Sequence, residues 1–154
     1  MRRGFTMIEL IFVIVIIGIL AAVAIPKLQG VSEDAEIAKI ESYAGSLSRT
    51  VMPGIWSKSL RENNDGHIES YGAEILRDLP APKGLSAPSF AAADLLPAGT
   101  DFRTAAAPGV AVATETVGGT TYTVACTDGD QTRSPVCDVW DGSKNIWLLA
   151  SKTR

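Results

Sequence analysis

The chain has 154 residues, enough for one domain with a modest core. Apolar residues make up 46 % and charged residues 20 % of it, proportions that exclude an intrinsically disordered chain. A net charge of −3 and a pI near 5.1 argue against the basic face that a nucleic-acid binder needs, so no nucleic-acid partner is expected.

The apolar content is unevenly spread, because much of it lies in residues 7–25. Residues 5–25 form a run that spans roughly 31 Å as a helix, about one hydrocarbon thickness. Arg2 and Arg3 precede it, an arrangement that keeps the N-terminus in the cytoplasm and sends the rest outward through the bilayer. The same run also fits a secretory signal peptide, with Ala22-Val23-Ala24 as its cleavage site and a soluble exported binding domain behind it. Glu9 suits neither a plain anchor nor a signal peptide. A carboxylate in a membrane helix costs up to ~3 kcal/mol at the bilayer centre, less near the end, and has no task in a signal peptide.

The stretch Gly4-Phe5-Thr6-Met7-Ile8-Glu9-Leu10, with the apolar run behind it, resembles the N-terminal signature of type IV pilins and of the pseudopilins of type II secretion. The resemblance covers about residues 1–30. Met7 departs from it slightly, standing where Leu is commoner. It implies that residues 1–4 are a leader removed by a prepilin peptidase between Gly4 and Phe5. Phe5 becomes the N-methylated terminus, and Glu9 the fifth residue of the mature chain. Residues 5–28 are then the transmembrane and polymerisation helix, and 29–154 an exported pilin-like domain. The resemblance further implies identical or related subunits as partners, together with an inner-membrane assembly platform and its ATPase. The subunit is expected first in the inner membrane, then in an extracellular pilus or a periplasmic pseudopilus.

Under that reading Glu9 acquires a task. Phe5 and Glu9 are four residues apart, hence neighbours on one helix face, and an acid in the first turn suits the helix dipole. When helices pack into a bundle the carboxylate loses its water, and breaking a buried ion pair costs about 3–5 kcal/mol. A subunit is therefore accepted only where Glu9 meets the terminal amine of a neighbour. The charge sets the register and the apolar run supplies the contact area. Further along, Gly18 and Pro26 are helix breakers. Pro26 has no N–H for the Ala22 carbonyl, which implies a kink or the first turn of a separate helix.

Beyond the run, Ile37, Ile40, Ala44, Leu47 and Val51 step by three and four, one face of an amphipathic helix. One helix is expected from about residue 5 to 52, ended by Pro53-Gly54. Asn63-Asn64-Asp65-Gly66 marks a turn, a short helix is expected near 71–79, and 80–108 reads as a long surface connection. Residues 110–117 and 120–127 flank Gly118-Gly119 as a hairpin; 136–140 and 145–150 flank a second turn. Tyr122, Val124 and Cys126 alternate along one strand face, with Val136, Trp140, Ile146 and Leu148 adding apolar area. The fold class is α+β: the second half of the long helix packs on a four-stranded antiparallel sheet.

Cys126 and Cys137 suit a disulfide if this part lies outside the cytoplasm, closing an eleven-residue step worth roughly 3 kcal/mol. In many type IV pilins, but not generally in major pseudopilins, such a bridge bounds a C-terminal surface loop. Asp128, Asp130 and Asp138 could offer oxygens to Ca²⁺, but their spacing fits no standard loop, so neither metal nor cofactor is expected. His67 reads as a solvated histidine, and Trp56, Trp140 and Trp147 as core or subunit contacts. Motifs of nucleophilic, nucleotide-binding or zinc catalysis are absent from the sequence, so the chain is not expected to be an enzyme.

Overall fold

The computed structural model describes residues 5–152. The chain divides into two compact units, with the boundary between Ala35 and Glu36. The first is a single stretch of helix α1 (Met7–Ser46), which continues into the second unit. Its apolar side chains do not find each other, because a lone helix that is apolar all round has nothing within itself to pack against. Met7 is 81 % exposed, Ile19 64 % and Val31 63 %, values typical of side chains with no protein neighbour. Among the described residues it is the one helix long and apolar enough to cross a membrane. It runs through Gly18 and Pro26 without interruption.

In the second unit the predicted stripe is the core face. Ile40, Ala44, Leu47 and Val51 are buried and Ile37 is partly so. The predicted helix end is not where Pro53-Gly54 put it. The turn Leu47–Val51 widens to π geometry, with the Met52 N–H reaching back five residues to the Leu47 carbonyl. Helix α2 (Met52–Arg61) follows directly, with Pro53 in its first turn. A proline lacks only an N–H that the first turn leaves unpaired anyway, so Pro53 restarts the helix rather than stopping it. The wide turn also shifts the apolar phase, and Met52, Ile55 and Ser59 are the buried positions of α2.

The polar turn after α2 is as expected: Asn63, Asp65 and Gly66 all have positive φ. A 3₁₀ turn (Glu69–Tyr71) leads into α3 (Gly72–Asp78). The long connection that follows is not purely surface. It buries Phe90, Leu95 and Phe102 and contains the two-residue strand β1 (Leu95–Leu96).

Strands β2 (Ala113–Val117) and β3 (Thr120–Thr127) form the predicted hairpin in register, and Gly118 and Gly119 both have positive φ, as a two-residue turn requires. β4 (Cys137–Asp141) pairs with β3, and β5 (Ile146–Trp147) with β4, all antiparallel. β1 pairs in parallel with the end of β3, so the sheet has five strands and is mixed rather than purely antiparallel. Such an addition has no local turn signal to announce it, being set by a long-range crossover.

Residues 148–150, expected to be strand, open helix α4 (Leu148–Lys152). The cause is Asp138. Its carboxylate accepts the N–H groups of Leu149 at 2.8 Å and Ala150 at 2.9 Å, capping the new helix from the neighbouring strand.

Tyr122, Val124 and Cys126 face the main core together with Cys137 and Val139, their partners across the sheet or next to them. On the opposite face Phe102, Ala125 and Trp147 form a second, smaller core. Val136 and Ile146, expected to add to the core, are instead 44 % and 38 % exposed.

Candidate functional site

The first turn of α1 holds the residue that the sequence singled out. Thr6 precedes the helix, and Glu9 lies three residues after it. The Glu9 N–H donates to Thr6 Oγ1 at 3.3 Å, while Glu9 Oε2 accepts the Thr6 N–H and hydroxyl at 3.4 Å each. This reciprocal arrangement is a capping box, and it satisfies N–H groups that the helix start leaves without partners. Phe5 lies ahead of the helix and is 74 % exposed. Gly4, the other half of the expected cut, lies outside the described residues, as does the rest of the 1–4 leader.

Two consequences follow for Glu9. Its side chain is held by Thr6, one turn before it. Among the described residues only Oε2 is engaged, which leaves Oε1 open to a cation from outside. The missed residue is Thr6, and its signal was in the sequence: Thr-x-x-Glu ahead of an apolar run is the written form of the box. Gly18 and Pro26, the expected kink positions, both lie inside α1, and Gly18 has no neighbouring atoms where a side chain would stand.

The second group of singled-out residues is built quite differently. Cys126 and Cys137 face each other across β3 and β4 and are joined by a disulfide. The backbone N–H and carbonyl of Cys137 turn away from β3. There Ser48, in the π-turn, accepts the N–H at 2.7 Å and donates to the carbonyl at 3.0 Å. One hydroxyl thus closes the open edge of β4 at this point.

The loop 127–136 between the cysteines docks on the turn after α2. Asp128 accepts the Ile68 N–H at 2.8 Å and meets His67 Nδ1 at 2.5 Å. Trp56 Nε1 donates to the Asp130 carbonyl, and Gln131 to Asp65. The backbones of Gly66 and Gly129 approach so closely that a Cβ at either would overlap main-chain atoms, which is why both are glycine. The Asp128 carboxylate beside it raises the His67 pKa above its ordinary value, so His67 is a partner of this loop, not merely solvated.

The acidic residues weighed as cation ligands are occupied by the chain itself. Asp130 Oδ1 accepts from Thr132 and from the Arg133 N–H, which lowers its pKa. Asp138 is 2 % exposed and holds the N–H groups of Val139, Leu149 and Ala150. Burial pushes its pKa up against the pull of those three donors. Among the described residues no three His, Cys, Asp or Glu side chains are gathered as a metal would need.

The model of the prokaryotic N-terminal methylation motif matches residues 1–25. The chain is 39 % identical over 51 residues to the type IV major fimbrial protein FimA of Dichelobacter nodosus, covering 33 % of each. It is 40 % identical over 90 residues to the type IV major pilin protein PilE of Neisseria gonorrhoeae, covering 55 % of this chain and 54 % of that one. Over 45 residues it is 44 % identical to the type IV narrow pilus major component PilA5 of Thermus thermophilus, covering 29 % and 39 %. The chain thus spans between a third and about half of the length of these relatives. No solved structure matches it.

Proposed function

We propose that this chain, a relative of the type IV pilins through its N-terminal segment, is a structural subunit of a type IV pilus-like filament. The observation that carries the reading is the first unit: a helix apolar all round, exposed along its length, with one carboxylate held at its start by Thr6. Such a helix is stable only in lipid or among copies of itself.

On this reading a prepilin peptidase cuts between Gly4 and Phe5 and the new Phe5 amine is methylated. The amine keeps its positive charge, since methylation removes no basicity needed to hold a proton. The subunit waits in the inner membrane with its N-terminus cytoplasmic, and then joins the filament through α1. There the amine of one subunit meets the open Oε1 of Glu9 on the next. The assembly energy comes from an ATPase acting through a membrane platform. No step of this scheme needs catalysis by the chain itself.

Glu9→Gln tests it. Glutamine keeps the capping box, because its amide oxygen still accepts the Thr6 N–H, but removes the charge. The variant is expected to be cut, exported and retained in the membrane, and to yield no filaments when cells are sheared. Ordinary filaments from it end the register argument. The mass of the mature N-terminus tests the processing separately: a chain beginning at methyl-Phe5 supports it, and one beginning at Ile25 shows an ordinary signal peptide. Recovery from the cell surface, as against the periplasm, separates a pilus from a pseudopilus.

A further inference from the structure

Among the described residues Arg49 is one of the cations of the second unit that make no ion pair. It lies in the π-turn and is exposed. The charged groups around it are already engaged. Glu41 binds Lys152, Asp101 accepts the Arg103 N–H, and Asp138 is buried with its three N–H donors. Arg49 stands between two hollows and lines both. One, of about 370 Å³, is edged by Ser42 and Thr50; the other, of about 610 Å³, is floored by Val136 and Phe102. Leu149 is common to the two. Val136 contributes exposed apolar surface beside the charge.

The first unit carries the complement around its boundary. Val31 is exposed, and Glu33, Asp34 and Glu36 follow it, also exposed and without an ion pair among the described residues. Three carboxylates in four residues repel one another unless a cation is brought to them.

We propose that residues 31–36 of one copy dock against the Arg49 hollows of a second copy, with Val31 on the apolar floor and the carboxylates on Arg49. The contact joins two different surfaces, so it propagates instead of closing into a dimer. It rests on the assembly reading but adds a second register contact to it, on the water side of the apolar run. The two contacts differ in physical kind. An exposed pair is screened by salt, whereas a buried pair is screened far less.

Filaments carrying Asp34→Cys and Thr50→Cys in the same chain test the inference. The two native cysteines are bonded to each other and buried, so the new thiols report alone. Mild oxidation is expected to give a ladder of covalent dimers, trimers and higher species, and neither single variant gives one beyond dimers. In parallel, Arg49→Glu is expected to lower filament yield about tenfold, since like charges then face each other, and adding Glu33→Arg and Asp34→Arg restores most of it. Normal filaments with neither a ladder nor a loss in Arg49→Glu overturn the contact while the Glu9 reading stands. A wild-type chain that forms no filaments at all removes the assembly reading, and this contact with it.

Discussion

The two units of the chain treat the same kinds of residue in opposite ways. In the first, every large apolar side chain from Met7 to Leu28 is more than a third exposed, and one carboxylate is half engaged. In the second, apolar side chains interlock around Ile40, Leu47, Val124 and Val139, all fully buried, and Asp128, Asp130 and Asp138 are held by several donors each. The second unit closes its core within one chain. The first leaves open apolar area on all sides, one Glu9 oxygen, and the exposed carboxylates of Glu33 and Asp34 at its end, which the proposed assembly takes up. On the proposed reading, that contrast separates residues that hold a fold from residues that meet a neighbouring copy.

The strongest way to break the contrast after Glu9→Gln lies in the second unit. Asp138→Ala strips α4 of its cap by removing the carboxylate that accepts the Leu149 and Ala150 N–H groups. Hydrogen bonds to a charged group are worth about 1.5–3 kcal/mol each, and the loss expected here is roughly 3 kcal/mol of domain stability. Urea unfolding followed by tryptophan fluorescence measures it, since Trp147 and Trp140 sit beside the affected helix. Membrane retention of the same variant is expected to be unchanged, because Asp138 has no role in the first unit. A variant as stable as the wild type means that the strand-to-helix switch at Leu148 has another cause.

A smaller effect sharpens the reading of the first unit. Thr6→Ala removes the cap hydroxyl but leaves the Glu9 charge. Loss of an N-cap side chain costs about 1 kcal/mol, here confined to the first turn. Filament yield is expected to fall severalfold in Thr6→Ala and to vanish in Glu9→Gln, when sheared fractions are compared side by side. Equal losses in the two mean that the Glu9 charge acts only while the cap holds it in place, since Glu9→Gln keeps the box.

Local patterns made much of this legible in the sequence. The apolar run, the stripe from Ile37 to Val51, the Gly118-Gly119 hairpin and the facing cysteines each follow from spacing and turn chemistry within a few residues. The features that escaped are those decided at a distance. Strand β1 pairs in parallel across about thirty residues of chain. The last strand stops early because Asp138, on another strand, captures its N–H groups. Pro53 is compatible with both a stop and a restart, and burial of Met52 and Ile55 beyond it selects the restart. Thr6 is the exception: its motif was local and was overshadowed by Glu9, which belongs to the same four residues.

The smallest expected effect concerns pH, at the latch between the disulfide loop and the turn after α2. Asp128 raises the His67 pKa above its ordinary value near 6.5, so protonated His67 stabilises the docked loop. The sign follows from linkage. The contribution is fully present below the unfolded value and is lost as pH rises through the higher folded value. His67 is half exposed, so solvent screens the pair and only a few tenths of a kcal/mol are expected. Comparing thermal unfolding of the wild type and His67→Gln at pH 6 and pH 9 reads it: the wild type is slightly the more stable at pH 6, and the difference shrinks at pH 9. A difference that persists at pH 9 assigns the contact to a neutral hydrogen bond. The effect is small for a structural reason, because Asp128 keeps the Ile68 and Gly129 N–H groups at either pH, and the loop stays docked on those after the charge on His67 has gone.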